Sequence, residues 1–383
     1  MASRFTRINA RVLTVILVVA LPVLFLGAVV VIGIGQSRAM AAQASQLEQI
    51  AAHAAAAVDS YVFRRILDGA LLARAPDVRR AAAAGSAAAY DETAAAQVDA
   101  QWQRDPAATS GRLPILSSPA SRFLADLVTH DSVYREVLVT DRYGRLVAAS
   151  NLTSDYMQAD EAWWVRAFDN GRGRIAVGDV HRDESAKVYA LEIAVPVLAP
   201  DAEEVVGVMK IVADSREMLS GVAGLELGAT SEAMLVRPDG SIVFRRRPHG
   251  PDDRFFASDL LRERLEIRAA RKEPAGPFSY TAQTEDGARR VVAIAPSQLA
   301  HSYPELPWMM ALSMDVQELA APFSSLVWYL ALVVVLVAAA VLAFALWFSL
   351  RLAAPPIDPA YDLHLVEHAR IPRLDDEEQP ATR

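Results

Sequence analysis

The chain has no cysteine. Disulfides, thiol nucleophiles and thiolate metal sites are therefore excluded. It also lacks net positive charge. The formal charge is −8 at pH 7, which argues against broad affinity for nucleic acid. The seven histidines are scattered. Of these, His364 and His368 have the four-residue spacing that shares a helix face, but they lie among prolines, where solvated side chains are the simpler reading. His181, between Asp179 and Asp183, reads first as part of a charged surface turn. No nucleophile elbow is present, and no Gly-rich Lys-Ser/Thr phosphate loop. Gly171-Arg-Gly173 is a turn signal. With no catalytic constellation, the chain is expected to be neither an enzyme nor a holder of a metal or cofactor.

Hydrophobic residues, in contrast, make up 53% of the 383. Residues 12–35 are almost wholly apolar and follow Arg4, Arg7 and Arg11. About two dozen residues suffice to cross a ~30 Å hydrocarbon core. A cleaved signal peptide ending near Ala39-Met-Ala41 is the competing reading, but the run is too long for a typical h-region and reads as an uncleaved anchor. Residues 326–350 form a second apolar span, with Trp328 and Tyr329 near one edge and Trp347 near the other, as suits a membrane-crossing helix. Arg351 follows it. The positive-inside rule then puts residues 1–11 and 351–383 in the cytoplasm of a bacterial inner membrane and residues 36–325 outside.

Residues 36–84 are patterned as a helix. Leu47, Ile50, Val58, Tyr61, Val62, Ile66, Leu67, Leu71 and Leu72 recur mostly at three- and four-residue steps, and Pro76 marks a break near the far end. An unbroken helix of this length would reach on the order of 70 Å. Residues 81–100 are Ala-rich and read either as more helix or as a poorly ordered excursion; residues 107–119 read as a loop, and residues 121–129 as a short helix.

Two β-rich stretches follow. In residues 137–214, strand-like runs flank the turn Asp141-Arg-Tyr-Gly144, an aromatic connection contains Asp160-Glu-Ala-Trp-Trp164, and two longer runs close the stretch. In residues 232–314, a hairpin turns at Pro238-Asp-Gly240, a charged helix occupies 255–272, and three more strands follow. The second stretch repeats the logic of the first at smaller size, as an internal duplication would. The predicted fold is α+β: a long N-terminal stalk helix and two antiparallel-sheet modules, at 120–214 and 215–318, between two membrane spans.

Paired indoles beside carboxylates point to a pocket. Of Trp163 and Trp164, one ring is expected in the core and the other on a cavity wall, where an indole face also attracts cations. Glu161, Asp179 and Glu192 could supply the charged side of such a site, and Tyr156 and Tyr189 hydroxyl contacts.

This layout resembles the double Cache family of bacterial transmembrane sensors and chemoreceptors. The likeness covers roughly residues 36–350. It is carried by the order and spacing of Val139-Thr-Asp-Arg-Tyr-Gly-Arg-Leu-Val147, Asp160-Glu-Ala-Trp-Trp-Val-Arg-Ala-Phe168, Ala194-Val-Pro-Val197, Val206-Gly-Val-Met-Lys210 and Trp308. The resemblance implies two PAS-like modules in tandem, with the membrane-distal one, 120–214, binding a small molecule. The amino-acid-binding branch carries a tyrosine, an arginine five positions on, then a tryptophan and a tyrosine. Tyr156 and Trp163 match, Trp164 replaces the second tyrosine, and Glu161 stands where arginine is usual. That reversal implies a ligand with a positive or neutral polar group, with Arg166 a possible substitute cation. The family also implies a homodimer; the apolar stripe from Leu47 to Leu72 needs a partner surface, and since part of it must pack on its own modules, the dimer contact is expected at residues 50–61.

Members commonly continue into a HAMP linker and an output domain. Here about thirty residues follow the second span, so the signal is expected to pass to a separate cytoplasmic or membrane partner. Tyr361-Asp-Leu-His-Leu-Val-Glu-His368 is the candidate docking segment, either as an added strand or as a short helix, with a solvated tail as the third possibility. The competing function is a structural inner-membrane protein with a vestigial pocket.

Overall fold

The structure is a computed structural model that describes residues 10–104, 114–183, 188–225, 227–245 and 253–351. The docking segment at 361–368 lies outside the described residues. The chain divides into two compact units, residues 1–38 with 322–383, and residues 39–321.

In the first unit, two helices are long and apolar enough to cross a membrane. They belong to α1 (Ala10–Leu72), which contains Pro22, and to α9 (Val316–Arg351). Their apolar side chains, among them Phe25, Val31, Leu336 and Trp347, are exposed.

The second unit is built on α1. Leu47, Ala51, Ala55, Val58, Val62 and Ile66 are all buried. They recur at steps of three and four, the stripe of a helix with one apolar face. The helix ends at Leu72, and Pro76 begins α2 (Pro76–Ala87) at its first position, where the missing N–H is no loss. The Ala-rich stretch is helical, forming the end of α2 and then α3 (Glu92–Arg104). α4 (Pro119–His130) is capped by Ser118, whose side chain accepts from the Ser121 backbone N–H at 3.1 Å, with Pro119 at its first position. Such a cap satisfies a donor that the helix cannot.

The first sheet contains β1 (Tyr134–Thr140), β2 (Leu146–Ala149), β3 (Ala176–Val177), β4 (His181–Asp183), β5 (Val188–Leu198) and β6 (Val205–Asp214). Its order is β2-β1-β6-β5-β3, with β4 also paired to β5. α5 (Ala162–Phe168) lies between β2 and β3 in the chain. The second sheet contains β7 (Glu232–Val236), β8 (Ile242–Arg245), β9 (Phe278–Gln283), β10 (Arg289–Pro296) and β11 (Met309–Asp315), in the order β8-β7-β11-β10-β9. α6 (Arg216–Ala223) joins the modules, and α7 (Ser258–Ala270) and the short α8 (Leu299–Ser302) belong to the second.

The two sheets are therefore copies of one plan, and register confirms it. Each first hairpin has a bulge, after Val139 and after Leu235. Each turns on a glycine at φ 81°, Gly144 and Gly240, a conformation that costs other residues a clash. Aligning the bulges places Met209 on Met310, Lys210 on Ala311 and Val212 on Ser313. It also places Glu192 on Val292.

Side chains alternate across a strand, so each sheet presents two faces. One face of each joins a single core around α1, with Val139, Ile193, Met209 and Ile211 from the first sheet and Leu235, Ala293, Met310 and Leu312 from the second. The opposite faces have separate cores. In the first module it contains Trp102, Leu138, Trp163, Trp164, Ala167, Ala194 and Val208; in the second, Phe255, Leu261, Tyr280, Val292 and Ile294.

Candidate ligand-binding site

The α5-facing side of the first sheet is where sequence and structure meet. α5 buries Trp163, Trp164 and Ala167 and leaves Val165 and Arg166 exposed. Trp164 donates its indole N–H to Thr140 Oγ1 at 2.9 Å and stacks on Phe168 at 4.6 Å. Thr140 Oγ1 in turn donates to the Val208 carbonyl at 3.2 Å. Trp164 is thus a fixed part of the core. Trp163 differs, because the Lys210 ammonium stands 5.3 Å from its ring centroid, a cation–π distance.

Lys210 is the residue that the sequence reading did not single out. It lies on β6 among Val208, Met209, Ile211 and Val212, all buried, and forms an ion pair with Glu192 on β5 at 2.8 Å. The Lys210 and Glu192 side chains are 15% and 23% exposed. A lysine taken this far out of water needs a partner, and Glu192 supplies it. A signal was available: the chain has only three lysines, Lys187, Lys210 and Lys272, and Lys210 interrupts an otherwise apolar strand.

The loops over this face are tied down. Asp99 on α3 accepts from the backbone N–H groups of Tyr156 and Met157 at 2.8 and 2.9 Å. The Trp102 indole donates to the Thr153 carbonyl at 3.1 Å, and the Trp102 and Tyr156 rings lie 5.8 Å apart. Burial pushes the Tyr156 phenol up, partly offset by Arg145. The Ala-rich segment thus serves as a wall of this face.

The eight expected residues do not gather in one place. Trp163, Trp164 and Glu192 share the α5 face, with Tyr156 at its rim. Glu161 and Arg166 are exposed, Glu161 as the residue preceding α5 and making no side-chain cap. Tyr189 is three residues from Glu192 on one strand, and so points to the opposite face. There it meets Phe244 of the second module edge-on at 5.3 Å. Asp179 also reaches the second module, accepting from the Trp308 indole N–H at 2.9 Å and from Arg237 Nε at 2.9 Å. It stands next to Gly178, where a Cβ would come within 3.3 Å of a Glu192 carboxylate oxygen. The module junction therefore begins one residue from the charged pair.

Two sheets of one strand order, bulged at matching positions, share one face with a long helix. This α+β arrangement is consistent with a double Cache fold. No family model and no curated protein matches the chain. Among solved structures it is similar to the ligand-binding domain of the Pseudomonas aeruginosa PAO1 amino acid chemoreceptor PctC in complex with GABA, at 17% identity, over 70% of this chain and 99% of that one, TM-score 0.45. It is similar to the V. cholerae histidine kinase DctB sensor domain at 14% identity, over 72% and 97%, TM-score 0.44. It is also similar to the P. aeruginosa PAO1 chemoreceptor PctB ligand-binding domain in complex with L-Gln, at 19% identity, over 75% and 98%, TM-score 0.42.

Proposed function

We propose that this is a membrane-anchored sensor whose distal Cache module, outside the bacterial inner membrane, binds a small dipolar molecule. The observation that carries the reading is the Lys210–Glu192 pair, half-buried on an apolar sheet face beneath Trp163. Its two charges sit 2.8 Å apart and satisfy each other. A ligand with a cationic or neutral donor group would take the Glu192 carboxylate, and its acceptor would take Lys210. Trp163 would supply a flat wall. Opening the pair displaces β5 against β6 beside Gly178 and Asp179, and so reaches the proximal module. A ligand shifts such an equilibrium only as far as it prefers one state.

Assembly as a homodimer fits the exposure of Phe63, Leu67 and Leu71, spaced by four along α1. Transfer of the signal to a separate cytoplasmic partner through residues 361–368 completes the proposal.

The test is a ligand screen by thermal shift on the full-length protein in detergent. A binder present at a hundred times its Kd adds about 2.7 kcal/mol. Lys210→Met and Glu192→Gln should each abolish the response. A broad screen with no hit would favour the second reading, a structural membrane protein. The mutual neutralisation of the pair and the burial of both tryptophans favour that reading.

A further inference from the structure

The proximal module repeats the distal plan, but its free sheet face is polar in a different way. Three buried polar atoms on it have no hydrogen-bond partner among the described residues: Tyr280 Oη, Ser313 Oγ and Arg290 Nε. Such atoms are uncommon in folded chains and ask for an explanation.

Register brings the three together. Tyr280 on β9 and Ser313 on β11 both lie opposite Val292 of β10. Arg290 precedes Val292 by two residues, so it shares that face and is the diagonal neighbour of both. Diagonal neighbours on one face are about 7–8 Å apart at the backbone, and Tyr280 and Ser313, two strands apart across Val292, are about 9–10 Å apart, a span that a small molecule lying over Val292 would bridge. Val292, at the centre, is fully buried; Tyr280 is 7% and Ser313 1% exposed. Phe255, Leu261 and Ile294 supply apolar surroundings in the same core.

The distal counterpart sharpens the contrast. Val212 and Glu192 occupy the places of Ser313 and Val292. In the distal module the charge on this row is neutralised within the protein. In the proximal module the donors are left over.

Their chemistry restricts the occupant. Arg290 can only donate, and its Nη2 is already committed to the Thr230 and Ser313 carbonyls, the second at 3.2 Å. The acids that feel its charge, Asp286 and Glu318, are at the solvent side and bonded to Thr284 and Thr230. Burial pushes the Tyr280 phenol up, so it stays a donor at neutral pH. Two hydroxyls and one guanidinium N–H call for an anion with several lone pairs in a fixed plane, which describes a carboxylate.

We infer that the proximal Cache module holds a second ligand site, on its α7-facing sheet, for a small carboxylate bound by Tyr280, Ser313 and Arg290. The Phe255, Leu261 and Ile294 side chains suit a short aliphatic tail. This site is independent of the distal reading.

The experiment melts the full-length protein in detergent, in chloride and in acetate, propionate or butyrate at equal ionic strength. At least one carboxylate should raise Tm saturably. Tyr280→Phe and Ser313→Ala should each weaken its apparent affinity by about tenfold, the loss of one hydrogen bond to a charged group. Both variants should melt in chloride no lower than the parent, since each deletes a hydroxyl that has no partner. The inference is overturned if no carboxylate shifts the parent, or if the shift survives both substitutions, which would place it elsewhere. A lower Tm for Tyr280→Phe in chloride, without a carboxylate response, would assign these atoms to a buried water and overturn it equally.

Discussion

Asp179→Ala tests whether the distal and proximal modules are held together by one carboxylate. The substitution removes an acceptor from the Trp308 indole, from two nitrogens of Arg237 and from the backbone N–H of Val180. Trp308 is 1% exposed, so its N–H would be left buried and unpaired, at about 1–3 kcal/mol. The Arg237 and Asp179 side chains are 30% and 31% exposed; solvent screening limits that ion pair to about 1 kcal/mol at most. Together these give a loss of roughly 1–4 kcal/mol. At about 2–4 °C per kcal/mol for a chain of this order of size, Tm should fall by about 2–16 °C. Asp179→Asn keeps a carbonyl for Trp308 and should lose about half as much. Arg237→Ala should lose least. The assay is tryptophan fluorescence melting of the full-length protein, with Trp308→Phe added to close a double-mutant cycle. If Asp179→Ala melts within about 1 °C of the parent, or if its effect adds independently to that of Trp308→Phe, the bridge is not holding the modules.

Asp59 makes the stability of the chain depend on pH. Its carboxylate accepts from Ser297 Oγ at 2.5 Å and Gln298 N at 2.8 Å; burial raises its pKa above the ordinary 3.8, partly offset by those hydrogen bonds. The folded chain therefore keeps this proton longer than the unfolded one, and stability must fall as pH rises from 3.8 through the raised value. Asp59→Asn should remove that component of the slope in melts taken between about pH 4 and about pH 7; identical slopes would refute the assignment. Gly207→Ala should destabilise by about 3 kcal/mol or more, because a Cβ there would lie 1.9 Å from the Thr140 carbonyl oxygen and force β6 away from β1; a near-normal urea midpoint would show that the contact relaxes freely. Single cysteines in this cysteine-free chain should crosslink between copies at Phe63, Leu67 and Leu71, the exposed apolar residues of α1, and poorly at Ala51, Val58 and Val62, which are buried on their own modules. An even pattern along the helix would count against a dimer seam.

Much of the fold was legible because its determinants are local. Pro76 breaks the stalk as its chemistry requires. The turns at Gly144 and Gly240 announce their hairpins. Alternation in β5 even separates Glu192 from Tyr189, since residues an odd number apart on a strand face opposite ways; grouping both in one pocket disregarded that. What local pattern does not carry is which partner each face receives. Residues 50–61 look like a dimer contact in sequence, yet Ala51, Ala55, Val58 and Tyr61 are buried in the core that both sheets share. Exposed apolar side chains lie instead at Phe63, Leu67 and Leu71. Asp179 looks like a site carboxylate because it stands beside aromatic and charged residues. Its partners, Arg237 and Trp308, come from 58 and 129 residues away, beyond any spacing argument.

The Lys210–Glu192 pair is where a structural and a sensory explanation make opposite predictions. If the pair exists for stability, removing both charges should hurt. Physical reasoning says otherwise: a half-buried ion pair gains in Coulomb energy about what it loses in desolvation, and apolar replacements of similar size are often neutral or better. The surroundings are suitable, since Val208, Val212 and Ala194 already make this face apolar. Each single change should be worse than the double. Lys210→Met leaves Glu192 partly buried without its cation, and Glu192→Leu leaves Lys210 with the Trp163 ring alone; with both side chains still reached by solvent, each should lose about 1–3 kcal/mol. The double variant should recover to within about 1 kcal/mol of the parent, or exceed it. It should also lose every response to distal-site ligands found by thermal shift. A double variant that is less stable than either single one would mean the pair holds β5 to β6 and is structural. Recovery of stability together with loss of binding would mean that the charge is kept on this face for something that the protein does not itself contain.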